Sequence, residues 1–154
     1  MNKVGPLPLG PKWVVLTWRL PSTSSTPRVT TWRTLQRMGA ALLTPGAAAV
    51  PYSEDLLEQT EWLAQRIVES GGEAWVLPVS ELRERDEAEI RARARSAREQ
   101  EYETLRTKAG RRLNHRGMVA LEHGYRSVLA RDHFHAAGRG RARRAIDKAR
   151  AVAG

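Results

Sequence analysis

The chain has 154 residues, 41% of them hydrophobic, which is enough for one domain with a real core plus an appendage. It contains no cysteine, and this excludes disulfides, thiolate metal sites and thiol nucleophiles. No apolar run approaches the roughly 18 residues of a transmembrane helix, and residues 1–11 lack the apolar centre of a signal peptide. We therefore expect a cytoplasmic protein without membrane contact.

The formal net charge of +9 is concentrated towards the end of the chain. Residues 1–103 contain 13 Lys and Arg against 14 Asp and Glu, whereas residues 104–154 contain 13 against 3. The five Trp all lie in the first half, at positions 13, 18, 32, 62 and 75. This distribution predicts a near-neutral body followed by a basic extension, which favours a polyanionic partner, nucleic acid before an acidic membrane surface.

Strands and helices are predicted to alternate after a flexible lead-in over residues 1–11. Residues 13–18 are apolar, β-branched and aromatic, as is typical of a strand. Pro27 suits the first position of a helix that Gly39 ends, and three residues could serve as its N-cap: Ser24, Ser25 or Thr26. The apolar stripe of this helix is predicted to comprise Val29, Trp32, Leu35 and Met38.

A second helix is the clearest element of the sequence. Residues 40–44 and 47–52 predict two short strands joined by a Pro45-Gly46 turn. Ser53 then stands at the N-cap of an amphipathic helix, and Gly71-Gly72 ends it. The predicted stripe of this helix comprises Leu56, Leu57, Thr60, Leu63, Ala64, Ile67 and Val68. An apolar strand over residues 74–79 follows.

The order β-α-β-β-α-β predicts an α+β fold, with a ferredoxin-like body over residues 12–80 and two helices covering one face of its sheet. Four Trp, at positions 13, 32, 62 and 75, are assigned to core packing. The uncovered sheet face and the edge strands favour pairing of two copies as a homodimer.

Residues 81–154 predict a basic helical extension that packs on the body or projects from it. A capping box formed by Asp86 and Glu89 opens a helix that ends near Arg112. Residues 114–117 are predicted to break the chain before a second amphipathic helix. Gly138 and Gly140 then interrupt the chain ahead of a terminal helix over residues 142–152.

Several short segments, in their order and spacing, resemble the N-terminal domain of the ChrB family of chromate-resistance regulators. They are Trp13-Val-Val-Leu, Pro27-Arg-Val-Thr-Thr-Trp32-Arg-x-Leu35-Gln-x-x-Gly39-Ala, Glu61-Trp62-Leu63-Ala, Gly71-Gly72-Glu73-Ala, Arg98-Glu-Gln-Glu-Tyr102 and Arg131-Asp132-His133-Phe134. The resemblance covers roughly residues 13–150 and implies a cytoplasmic regulator of chromate-efflux genes. Members commonly carry a Lys-Asn pair where this chain has Thr44-Pro45-Gly46, so any role of that lysine is not carried over.

The basic extension supplies the candidate contacts to nucleic acid. Exposed Arg and Lys neutralise phosphates; the alternative is that they only solvate helix faces, but a net of +10 over 51 residues exceeds what solubility needs. Aromatic residues do not interleave with them, which argues against a base-stacking single-strand binder and favours double-stranded DNA. The candidates are Arg106, Lys108, Arg111, Arg112, Arg116, Arg139, Arg141, Arg143 and Arg144.

Two weaker sites are considered. Arg28, Arg33 and Arg37 recur at helical spacing and could bind an oxyanion such as chromate, although a solvated helix face is the favoured explanation. The segment 131–135, with His123, could hold a metal, but the two His of a His-x-His pair diverge by about 200° on a helix. We therefore expect no metal site, and expect Asp132 to cap the last helix or pair with an Arg.

No phosphate-binding loop, metalloprotease motif or nucleophile elbow is present, so we expect neither an enzyme nor a bound cofactor. The leading hypothesis is a dimeric, DNA-associated transcriptional regulator of the chromate-resistance type, able to respond to an oxyanion. The alternative is an accessory or sensor module that does not bind DNA but holds an oxyanion or an acidic protein partner.

Overall fold

Four strands and five helices make up the part of the chain described by the computed structural model, residues 10–22 and 25–153. They are β1 (Trp13–Arg19), α1 (Ser25–Met38), β2 (Ala41–Thr44), β3 (Ala47–Pro51), α2 (Glu54–Glu69), β4 (Glu73–Val79), α3 (Glu84–Ala109), α4 (His115–Ala130) and α5 (Gly138–Ala153). Most of the predicted lead-in, residues 1–9, lies outside the described residues, as does Ser24. None of the described helices is both long and apolar enough to span a bilayer.

The chain divides into two compact units, which we call the sheet unit (residues 1–90) and the helical unit (residues 91–154). The sheet is entirely antiparallel, with strand order β2-β3-β1-β4. Its central strand β1 is paired on both sides, so that Leu16 lies opposite Ala48 on β3 and Val76 on β4. This order and the sequence of elements confirm the predicted α+β, ferredoxin-like arrangement.

One face of the sheet and the inner sides of α1 and α2 enclose the core of the sheet unit. Val14 and Leu16 pack there with Leu35, Leu63 and Ile67. On α2, the residues predicted as an apolar stripe are buried or partly buried except for Val68, which is exposed. The predicted N-cap is confirmed, because the Ser53 hydroxyl accepts a hydrogen bond from the Leu56 N–H at 3.0 Å.

Gly71 and Gly72 end α2, as the sequence predicts. Gly71 adopts a φ of 86°, in the left-handed region that a residue with a Cβ resists. The Gly72 N–H donates to the Ile67 carbonyl at 3.0 Å, which satisfies one of the last helical carbonyls. The chain can therefore reverse within two residues and enter β4 beside β1.

The assignment of Trp32, Trp62 and Trp75 to the core is wrong. Their side chains are 49%, 63% and 67% exposed, and of the four assigned only Trp13 is buried. On α1 the buried positions are Thr31, Leu35 and Met38. Val29 and Trp32, which were predicted to belong to the apolar stripe, are exposed. Helical residues advance by about 100°, which turns Trp32 away from the face that Thr31 and Leu35 share.

The helical unit has its own core, built from α4, α5 and the part of α3 that belongs to this unit. Tyr102, Leu121, Tyr125 and Ile146 are buried in it, and the rings of Tyr102 and Tyr125 are 6.1 Å apart. A break separates α3 from α4, but it lies over residues 110–114 rather than the predicted 114–117. Asn114 caps α4 by accepting from the Gly117 N–H at 2.8 Å.

Two helix boundaries differ from prediction. α3 begins at Glu84, so Asp86 lies within the first turn rather than at the N-cap, and its carboxylate accepts from Arg83. α5 begins at Gly138 instead of residue 142, and both predicted interrupting glycines lie inside it. A glycine is needed at position 138 because Glu99 packs closely against it. The Gly138 N–H donates to Glu99 Oε1 at 2.6 Å, and a Cβ there would stand 2.7 Å from Glu99 Oε2.

Gly72→Ala is expected to destabilise the sheet unit by about 1–3 kcal/mol. The added Cβ would stand 2.4 Å from the Arg19 carbonyl oxygen and 2.9 Å from Ile67 Cγ2, so backbone must shift. Urea unfolding followed by Trp fluorescence measures the loss, because all five Trp lie in this unit. Gly10→Ala is the control, since nothing lies within 4 Å of its Cβ position. Equal midpoints for the two variants would contradict the prediction.

Candidate nucleic-acid interface

A buried ion-pair network joins α3 to the end of α4. The Arg98 side chain is 2% exposed, and its Nε lies 2.6 Å from Glu101 Oε1 as a close ion pair rather than an aligned hydrogen bond. Arg131 pairs with the same carboxylate and offers its carbonyl to Arg98 Nη1 at 3.4 Å. Burial lowers the pKa of Arg98, and the nearby Glu101 charge opposes that shift.

Asp132 closes the turn between α4 and α5. Its carboxylate accepts hydrogen bonds from the Tyr102 hydroxyl at 2.9 Å and from the Ala136 N–H at 3.0 Å. Burial, followed by the bond to Asp132, raises the pKa of Tyr102. Asp132 therefore has a structural role ahead of the last helix, close to what the sequence predicts. Within the described residues, no group of three or more His, Asp or Glu is placed to hold a metal.

Three of the nine candidate phosphate contacts are engaged inside the protein. Arg106 pairs with Glu103 at 2.8 Å, and Arg141 approaches Glu99 at 3.4 Å. Arg143 is the most constrained, because it donates to the Glu122 carboxylate through both Nη atoms, bonds Asp147 and lies over the Tyr125 ring at 4.9 Å. Its geometry is that of a residue holding α5 against α4.

The other six candidates are exposed, and none has an acidic partner within the described part of the chain: Lys108, Arg111, Arg112, Arg116, Arg139 and Arg144. Four of them occupy nine consecutive positions where α3 ends and α4 begins. We call this group the basic turn: Lys108, Arg111, Arg112 and Arg116. The positive end of the α4 dipole lies beside it, so the turn concentrates positive potential at one place on the helical unit.

Sequence reasoning missed Arg126, which is also exposed and without an acidic partner among the described residues. Glu122 stands four positions earlier on α4, at a spacing that would favour a pair. The Glu122 carboxylate instead accepts from Arg143 and Arg150 on α5, so it does not pair with the Arg126 guanidinium. Only the tertiary structure shows that Glu122 pairs with Arg on α5 rather than with Arg126.

The three Arg proposed for oxyanion binding do not share one face of α1. Arg33 and Arg37 are exposed neighbours at i,i+4 on α1. Arg28 lies about 140° around the helix from Arg33, and its guanidinium donates to the Ser22 carbonyl at 2.8 Å. At most two of the three can therefore face one anion.

Comparison with known proteins assigns the chain to one family. Residues 28–114, more than half of the chain, match the family described as "Protein ChrB, N-terminal". Over 88 residues the chain is 34% identical to Protein ChrB of Cupriavidus metallidurans; the aligned region is 56% of this chain and 27% of that relative. No solved structure matches. The matched segment includes Lys108, Arg111 and Arg112 of the basic turn.

Glu101→Gln is expected to destabilise the helical unit by about 2–3 kcal/mol, because it leaves Arg98 charged and buried without its ion-pair partner. Arg98→Met removes the buried charge itself while Arg131 still pairs with Glu101, so its cost should be below about 1 kcal/mol. Amide hydrogen exchange of peptides from α4 and α5 measures both effects locally. Equal losses of protection in the two variants would contradict this account of the network.

Proposed function

The chain belongs to the ChrB N-terminal family, and from this we propose that it is a cytoplasmic, non-enzymatic regulator of the chromate-resistance type that associates with DNA. The observation that carries the proposal is the basic turn, four exposed cations in nine positions without acidic partners in the described residues. Because the chain aligns with only 27% of its curated relative, DNA binding is proposed from its own residues.

The charge of the helical unit favours a large polyanion over a single small one. This unit contains 17 Lys and Arg against 6 Asp and Glu, so its field extends beyond any one contact. Guanidinium and ammonium groups at the basic turn would each neutralise a phosphate and release counterions. Such contacts position a protein on a duplex without reading its sequence, so sequence preference would need further contacts.

The alternative sensor module finds support in Arg33 and Arg37, which share one exposed face of α1. Two neighbouring guanidinium groups suit a tetrahedral dianion, but both are solvated, and this weakens each contact. The basic turn has twice as many cations, four against two. We therefore rank DNA association first and oxyanion response second.

Arg111→Ala with Arg112→Ala is expected to flatten the salt dependence of DNA binding. A labelled duplex from the upstream region and a scrambled duplex are titrated between about 50 and 200 mM salt, and log affinity should fall linearly with log salt. The double variant should reduce the magnitude of that slope by about two, one for each lost phosphate contact.

The control is Arg33→Ala with Arg37→Ala, which changes the net charge equally within the sheet unit. It should leave the slope within about 0.5 of the native value. If neither duplex binds even at low salt, DNA association fails for this chain and the sensor alternative takes its place. Equal flattening by both double variants would show that net charge matters and that the basic turn does not.

We also propose that the regulator acts as a homodimer through the exposed part of the outer sheet face, which the edge strand β4 forms. Elsewhere on this face Trp13, Ala41 and Ala49 are already buried within the single chain. On this face Val15 lies opposite Leu77, and Thr17 lies opposite Trp75, which is 67% exposed. Its charged members, Arg19 and Glu73, neutralise each other at 3.2 Å. An apolar, self-neutralised face suits a second copy of itself better than an anionic partner.

Trp75→Glu with Leu77→Glu is expected to convert the dimer to a monomer, because burying four carboxylates in one interface is strongly unfavourable. Sedimentation equilibrium of the full chain measures the mass. Trp62→Glu with Val68→Glu is the matched control, because it places the same charges on the exposed side of α2. A native chain that sediments as a monomer, or a dimer that survives the sheet variant, would contradict the proposed interface.

A further inference from the structure

A cavity of about 710 Å³ lies in the helical unit between α4 and the end of α5. This volume falls within the range of sites that bind small molecules. The cavity extends from Asn114, which caps α4, along that helix to Arg126, and Arg150 and Ala153 line its other side. It is independent of the outer face of the sheet, because every lining residue belongs to the helical unit.

Apolar side chains form one part of the cavity wall. Met118 is buried at the base, and Leu113 is partly buried beside it. Val119 also lines the cavity and is 56% exposed, which is unusual for a β-branched apolar residue that could have packed in a core. Contact with an apolar molecule would remove the surface of these side chains from water, and this lowers the free energy of the complex.

The charged groups of the wall leave an excess of positive charge. The carboxylate in the lining, Glu122, already accepts from Arg143 at 3.0 Å and is paired with Arg150. Arg126 has no acidic partner in the part of the chain that the structure describes, and His115 and His123 add imidazole N–H donors along the same helix. An entering ligand would therefore meet free donors and a carboxylate that needs no further cation.

We propose that this cavity binds a small organic anion, a carboxylate carried on an apolar body. The carboxylate would lie at Arg126, where a guanidinium can form a bidentate contact, and the apolar body would cover Met118 and Val119. An inorganic tetrahedral anion would leave the apolar wall in water, and a DNA phosphate brings no apolar body to it. The cavity adjoins the basic turn, because Leu113, Asn114 and His115 lie between Arg112 and Arg116, but none of the four cations of the basic turn lines it. The contacts proposed for the organic anion therefore do not use the residues proposed for DNA.

Titration calorimetry of the full chain tests the proposal with three probes. They are 2-naphthoate, the neutral 2-naphthylmethanol with nearly the same apolar body, and inorganic sulfate, which has charge without an apolar body. We expect 2-naphthoate to bind at least about tenfold more tightly than either of the others. Equal binding of the alcohol, or no binding of 2-naphthoate up to about 10 mM, overturns the proposal.

Two pairs of variants place the ligand. Val119→Asp should weaken 2-naphthoate binding by roughly tenfold or more, because it sets a carboxylate against the ligand, whereas Val152→Asp, at an 81% exposed position of α5 outside the lining, should not. Arg126→Ala should weaken binding roughly tenfold, and Lys148→Ala should leave it unchanged. Because both valines are exposed, loss of folding does not confuse the result. Binding that is unaffected by both Val119→Asp and Arg126→Ala overturns the proposed site.

Discussion

Six carboxylates hold the helical unit together, and their positions decide which of its 17 cations are left for other molecules. Every one of the six is engaged: Glu99 with the start of α5, Glu101 with Arg98 and Arg131, Glu103 with Arg106, Glu122 with Arg143 and Arg150, Asp132 with Tyr102 and the turn before α5, and Asp147 with Arg143. With so few acids, six of the nine candidate cations have no acidic partner among the described residues. The pairing is therefore selective. The exposed cations that have no acidic partner among the described residues lie mainly at the basic turn, on α5 and at Arg126.

This selectivity has a physical origin in desolvation. A buried guanidinium such as Arg98 is tolerated only beside a carboxylate, so Glu101 is committed to the interior. Glu99 is committed for a different reason, because it satisfies a backbone N–H at the start of α5 that would otherwise lack a partner. The basic turn lies in the connection between two helices, where neither requirement draws an acid towards it.

The sheet unit divides its apolar residues between two faces with different consequences. The face beneath α1 and α2 buries Leu16, Leu63 and Ile67 and stabilises the fold. The other face leaves Trp75 and Leu77 exposed, and that surface supports the proposed pairing of two copies. The proposed regulator thus uses different residues for association with itself, for DNA and for a small organic anion, and each set has a different balance of charge and apolar area.

The sequence by itself determined the order of elements, the ferredoxin-like class, the α2 stripe with its Ser53 and Gly72 ends, and the concentration of positive charge. These follow from local rules, since periodicity, capping and turn residues act over a few positions. Only the tertiary structure decided that Trp32, Trp62 and Trp75 are exposed, and that Gly138 lies inside a helix against Glu99. Likewise it decided that Glu122 pairs with Arg143 on α5 and not with Arg126 on its own helix. Those outcomes depend on residues 20 to 40 positions apart meeting in space, and no local pattern encodes which carboxylate a given Arg will reach.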